Sequence, residues 1–164
     1  MHTVKRFALG FLPGLILLLS SYPALATSVS FEDVMQRNEA PDGVVFEIVS
    51  GKADYLRRAI PVVQTQIEQL RQRFPGLPIA VVTHGKEQFA LTRDKQKKYA
   101  EVHKGIQSLV KDSNVPVHVC GTYADWNGVG ETEFPDYVDV AAAGPVQIND
   151  YRELGYLLIK VKHP

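Results

Sequence analysis

The sequence predicts an α/β fold: a mainly parallel, five-stranded sheet with helices on both of its faces. Three observations predict it. Short apolar, β-rich runs alternate with amphipathic helical segments across short turns. The run Pro78-Ile79-Ala80-Val81-Val82-Thr83 is uniformly apolar up to its final threonine, which suits a strand covered on both sides. Strand–helix–strand connections of this length imply right-handed crossovers between parallel neighbours.

The first strand is predicted at Val44–Ser50, a β-rich run closed by Gly51. Before it, residues 28–42 read as a polar approach segment on the surface. Asp54–Phe74 reads as a helix, because Ile60, Val63, Ile67, Leu70 and Phe74 recur at steps of three and four. Asp54 is its expected N-cap. Pro61 predicts a kink or a later true start, since it lacks the amide that a helix interior uses. Pro75-Gly76 stops the helix. The second strand, 78–83, ends at His84-Gly85, and residues 87–92 form a short link. A second helix is predicted over Asp94–Asp112, with Tyr99, Val102, Ile106 and Leu109 on its buried stripe. Its lysines mark a solvated face, and His103 is expected on that side. The third strand, from Val115, runs into Cys120. Gly121–Asp136 reads as a long irregular loop, of the size that is usually functional or mobile. Asp125, Trp126 and Glu131 in it are candidates for shaping a pocket, with Trp126 alternatively capping the core. Val138–Ala143 is a fourth strand. Asn149–Leu154 is a short helix, capped by Asn149 or Asp150 and stopped by Gly155. Tyr156–Val161 is the last strand.

The amino terminus reads as an export signal. Lys5 and Arg6 precede an apolar run, Phe7–Leu19, and Ala24-Leu25-Ala26 is a cleavage pattern. The run is short for a membrane span, and no cysteine follows it for acylation. The expected arrangement is a signal peptide over 1–26, the approach segment over 27–43 and one α/β domain over 44–164, in the periplasm or secreted. Removing Lys5 and Arg6 changes 18 basic and 18 acidic residues to 16 and 18, a formal −2. A near-neutral chain with interspersed charges has no field suited to nucleic acid. No stable membrane span is expected after cleavage.

Cys120 is the only cysteine. In an exported chain it is inert filler, half of an intermolecular bridge, a metal ligand or a working sulfur. His118 stands two residues before it on the same strand, so both side chains share a face. A neighbouring imidazolium favours the thiolate, the form that attacks a disulfide, polysulfide or thiosulfonate. The bland alternative is a thiol buried as a small hydrophobe beside a satisfied core histidine. A soft ligand set of His84, His118 and Cys120 is the metal alternative, although only His-x-Cys is local. His163 is read as a tail residue. Gly51-Lys52 is not a phosphate loop, because the upstream glycine is missing and Ala53 replaces the Ser/Thr. No Gly-x-Ser-x-Gly elbow is present for a serine hydrolase. Ser50-Gly51-Lys52, His84-Gly85 and Cys120-Gly121 all fall at predicted strand ends, where ligands bind in sheets of this type. No cofactor is expected.

Three stretches resemble the DsrE/DsrF-like sulfur-relay family, and more closely its sulfur oxidation protein branch. They are Val81-Val82-Thr83-His84-Gly85 followed by Phe89-Ala90-Leu91, Val117-His118-Val119-Cys120-Gly121, and Leu154-Gly155-Tyr156-Leu157-Leu158-Ile159-Lys160. The likeness spans Val44–Val161. The resemblance implies a three-layer α/β/α sandwich, assembly into homo-oligomers (trimers or hexamers), and a cysteine at position 120 that takes up sulfur and passes it on. The loop over 126–136 is longer than the family pattern, and the export signal is a second departure from its cytoplasmic members.

Three functions follow from different classes. The first is a periplasmic persulfide carrier, or sulfurtransferase-like relay, acting on small sulfur compounds or a partner protein thiol. In it Cys120 accepts sulfur, His118 or His84 tunes the thiol, amides near Gly85 and Gly121 steady an anionic sulfur, and Ser50 is a further ligand-binding residue. The second is a module binding a metal or small anion. The third is a non-catalytic assembly subunit.

Overall fold

The computed structural model describes residues 28–162. The expected signal peptide and the tail residue His163 lie outside the described residues. Five strands form one all-parallel sheet in the order β4-β3-β2-β1-β5: β1 (Gly43–Ile48), β2 (Ile79–Thr83), β3 (Val117–Cys120), β4 (Asp139–Ala141) and β5 (Tyr156–Lys160). The α/β class is as the sequence predicts.

The strand order explains where the helices lie. The chain steps from β1 through β2 and β3 to β4 in one direction, then crosses back to β5 beside β1. Right-handed crossovers put connections of opposite direction on opposite faces. Thus α2 (Leu56–Arg73), α3 (Ala100–Lys111) and α4 (Gly121–Trp126) cover one face, and among the described residues α5 (Gly144–Glu153) alone covers the other. On the first face Phe46, Ile48, Val81, Val117 and Val119 pack with Ile60, Leu70, Ile106 and Leu109 in a large apolar core. The core under α5 holds five buried residues: Val45, Ala80, Val82, Leu158 and Ile148.

Several sequence expectations are corrected. Residues 28–42 are more than a polar approach. They contain α1 (Phe31–Met35), started by a reciprocal capping box between Ser30 and Asp33, and its Val34 is fully buried. Val29 also pairs with Ile159 at the sheet edge. Asp54 does not cap α2. It lies in a short 3₁₀ turn, Ala53–Tyr55, and the helix proper starts at Leu56. The helix then continues through Pro61, which sits in its second turn. The predicted second helix is divided between a 3₁₀ turn, Arg93–Lys95, and α3. The supposed long loop after Cys120 holds α4 and a 3₁₀ turn, Glu131–Glu133. Trp126 does not cap the core but is 79% exposed. The helix expected at 149–154 starts five residues earlier, at Gly144, with Ala143 as its N-cap and Pro145 in its first turn. Proline fits there because that amide has no helical partner.

Candidate functional site

Strand alternation and register decide which side chains meet. Glu47 on β1 pairs with Val82 on β2 and Lys160 on β5, Val82 pairs with His118 on β3, and His118 pairs with Asp139 on β4. All of these point to the α5 face. Cys120 follows His118 by two residues and His84 follows Val82 by two, so both join that face at the carboxyl ends of their strands.

Cys120 is 5% exposed. It ends β3 and is the N-cap of α4, where its Sγ accepts the Tyr123 amide at 3.4 Å. A buried glutamine fixes its backbone. The Cys120 amide donates to Gln88 Oε1 at 2.9 Å, and Gln88 Nε2 donates to the Cys120 carbonyl at 3.1 Å. Gln88 thus does for Cys120 what a neighbouring strand would do, beyond the last residue that β2 can reach.

His84 stands on the adjacent strand end. Gly144, the first residue of α5, lies between it and the cysteine. A Cβ at position 144 would fall 2.5 Å from His84 Cβ and 3.4 Å from Cys120 Cβ. Only glycine lets the helix enter here. The His84 ring is held from the other side: Nε2 lies 2.9 Å from Glu47 Oε1, and Lys160 Nζ lies 3.1 Å from Glu47 Oε2. The hydrogen bond from His84, with Lys160 beside it, holds the Glu47 carboxyl below its usual range, and burial opposes them without reversing the shift. Glu47 and Lys160 carry no sequence motif. They are legible only once β1, β2 and β5 are neighbours. The connections leaving the carboxyl ends of the strands diverge to opposite faces between β3, which leads into α4, and β4, which leads into α5, and open α/β sheets take ligands at such a point; Cys120 ends β3 there.

His118 is directed away from the thiol. Its Nε2 meets the Tyr151 hydroxyl at 2.9 Å, and its Nδ1 is 3.8 Å from Asp139 Oδ2. Burial depresses its pKa, and the Asp139 carboxylate offsets this in part. A shared strand face therefore did not bring His118 and Cys120 into a hydrogen bond.

The Gly85 amide, expected to face an anionic ligand, and the amide of Ser50, expected as a ligand-binding residue, are both taken by Glu87. This fully buried carboxylate accepts Ser50 N at 2.6 Å through Oε2, and Gly85 N at 2.8 Å and the Thr83 hydroxyl at 2.7 Å through Oε1. It joins the ends of β1 and β2 from inside. Gly121, the first residue of α4, packs against the Ala141 carbonyl. His103, expected in solvent, is 2% exposed, with Nε2 2.9 Å from the Ala90 carbonyl and Nδ1 bonded to the Tyr137 hydroxyl at 2.5 Å. Burial lowers its pKa. Among the described residues no three His, Cys, Asp or Glu side chains are grouped to hold a metal ion, so His84, His118 and Cys120 do not converge. No described helix is long and apolar enough to cross a membrane.

No family model matches the chain, and no curated protein matches it. Solved structures do. The protein of unknown function MTH1491 from Methanobacterium thermoautotrophicum matches with a TM-score of 0.57 at 19% identity, covering 72% of this chain and 97% of that one. The conserved protein of unknown function BT1422 from Bacteroides thetaiotaomicron matches with a TM-score of 0.51 at 12% identity, covering 71% and 94%. The ychN protein from E. coli gives a TM-score of 0.49 at 15% identity, covering 73% and 99%. The first two share the α/β architecture of this chain.

Proposed function

We propose that this is an exported DsrE/DsrF-like protein in which Cys120 carries sulfur as a persulfide. One observation supports the reading best. Cys120 ends a parallel strand at the carboxyl edge of the sheet, with the His84–Glu47 pair on the far side of Gly144 and the Tyr123 amide directed at its sulfur. A backbone N–H in that position is complementary to negative charge on sulfur. The step needs no external oxidant. The Cys120 thiolate attacks the terminal sulfur of a polysulfide, one S–S bond breaks and one forms. The electron pair of the broken bond leaves with the shortened polysulfide. With thiosulfate the leaving group is sulfite. A partner thiol then removes the outer sulfur and regenerates the cysteine. His84, held by Glu47, is placed to exchange protons with a group bound beside Gly144.

Intact-mass measurement after exposure to polysulfide or thiosulfate tests this. The wild type gains the mass of one sulfur, reversible by a reducing thiol, and Cys120→Ser gains nothing. Absence of the adduct on the wild type with both donors rejects the carrier. A second reading, a homo-oligomeric assembly subunit with a structural cysteine, is favoured by the 5% exposure of Cys120 and its capping role. It predicts an inert thiol and loss of the oligomer on surface substitution.

A further inference from the structure

The carboxyl edge is not the only built edge of this sheet. At the opposite, amino edge an open cleft of about 510 Å³ is lined by the first residues of three strands, Ile79, Asp139 and Tyr156, together with Arg71, Asn114 and Tyr151 from the ends of helices and a turn. Three features there are independent of one another. Tyr151 and Tyr156 pack with ring centroids 5.0 Å apart. Gly43 makes room for the second ring, since a Cβ there would lie 2.6 Å from it. His118, which the sulfur chemistry leaves unused, backs the Tyr151 hydroxyl from inside the sheet, and Asp139 stands beside it with a 64% exposed side chain.

The chemistry of these groups selects a ligand. Burial lowers the His118 pKa and raises that of Tyr151, so both are neutral near pH 7, and they share one hydrogen bond whose donor is set by the imidazole tautomer. With either tautomer the phenol oxygen keeps at least one lone pair for the cleft. Asp139 adds a carboxylate, and two tyrosine faces add negative quadrupoles. The last turns of α2, α3 and α5 converge on the same edge and present their negative ends. Arg71, the one cation among the lining residues, is tied to the Ser113 carbonyl and keeps its charge there, so the ammonium is assigned to Asp139. We propose that this cleft binds a small organic cation, an ammonium on an apolar body. Asp139 and the Tyr151 oxygen take the ammonium, and Tyr151 and Tyr156 take the body.

The test is a chemical-shift titration of the ¹⁵N-labelled protein with benzylammonium chloride, beside neutral benzyl alcohol and sodium chloride at matched ionic strength. The expected result is saturable shifts at Asn114, Asp139, Tyr151 and Tyr156 with benzylammonium only. Asp139→Asn weakens the affinity about tenfold or more, as loss of a charged hydrogen-bond partner does. Tyr156→Leu weakens it without changing shifts at the carboxyl edge, and the rest of the spectrum reports that both variants fold. Shifts equal to those with benzyl alcohol or with salt alone, absence of saturation, or an unchanged affinity in Asp139→Asn each overturn the proposal.

Discussion

The two faces of the sheet differ in kind. Under α2, α3 and α4 lies a large apolar core, with His103 buried in it and bonded at both ring nitrogens. Under α5 the apolar part shrinks to five residues, and the rest of the face carries Glu47, His84, Lys160, His118, Asp139 and Cys120. One ten-residue helix cannot cover five strands spaced at about 4.8 Å. At the two edge strands it leaves, Asp139 on β4 and Lys160 on β5 are exposed, whereas Glu47, His84, His118 and Cys120 are largely covered. Stability therefore resides mainly on one face and titratable chemistry on the other.

The largest expected effect tests that division directly. Leu70→Ala, on the buried side of α2, costs about 2–5 kcal/mol in urea unfolding, as large core truncations do. Ile148→Ala, on the buried side of α5, falls at or below the low end of that range, because fewer apolar neighbours surround it. Equal costs would break the comparison. Next is Glu87→Gln, which removes a charged acceptor of three hydrogen bonds and sets an amide NH₂ against backbone donors. A loss of about 1.5–3 kcal/mol is expected in thermal or urea melts. Gly144→Ala presses a methyl into His84 and is expected to cost about 1–3 kcal/mol by overpacking. Its distinguishing readout is a shift of the His84 ring resonances, which a merely local strain in α5 would not produce.

The smallest effect is in pH dependence. His103 and His118 both have folded pKa values below the ordinary 6.5, so the unfolded chain binds more protons on acidification. Stability falls as pH drops through 6.5 and continues to fall until the folded values are reached. Glu47 adds a loss at lower pH, starting near its ordinary 4.5, because its folded pKa is depressed. His103→Gln and His118→Gln should each flatten the slope between pH 7 and 5, since burial lowers both pKa values and is offset only in part, by the Ala90 carbonyl at His103 and by the Asp139 carboxylate at His118. An unchanged slope in urea melts of either variant across that window would show that its imidazole does not drive the loss.

Much of the fold was legible in the residues. The five strands were located within two or three residues at each end, because apolar β-rich runs and the Gly-Tyr and His-Gly turns are local signals. The helix α5 was misplaced because its apolar content is low and its start is set by Pro145 and Gly144, not by a polar cap. The approach segment was misread because five residues of helix bury only Val34. Of the candidate site, Cys120 and His84 were legible as strand-end residues. Glu47, Lys160, Gln88 and Tyr151 were not, since each acts on a partner more than thirty residues away.

The sequence by itself determined the five strands, the long helix after β1 and the α/β class, because side-chain periodicity and turn chemistry are properties of neighbouring residues. Only the tertiary structure decided the strand order, and with it the face on which α5 lies, the pairing of His84 with Glu47, and the turning of His118 toward Tyr151. These depend on which strands become neighbours, and that is settled by how the whole chain buries its apolar surface.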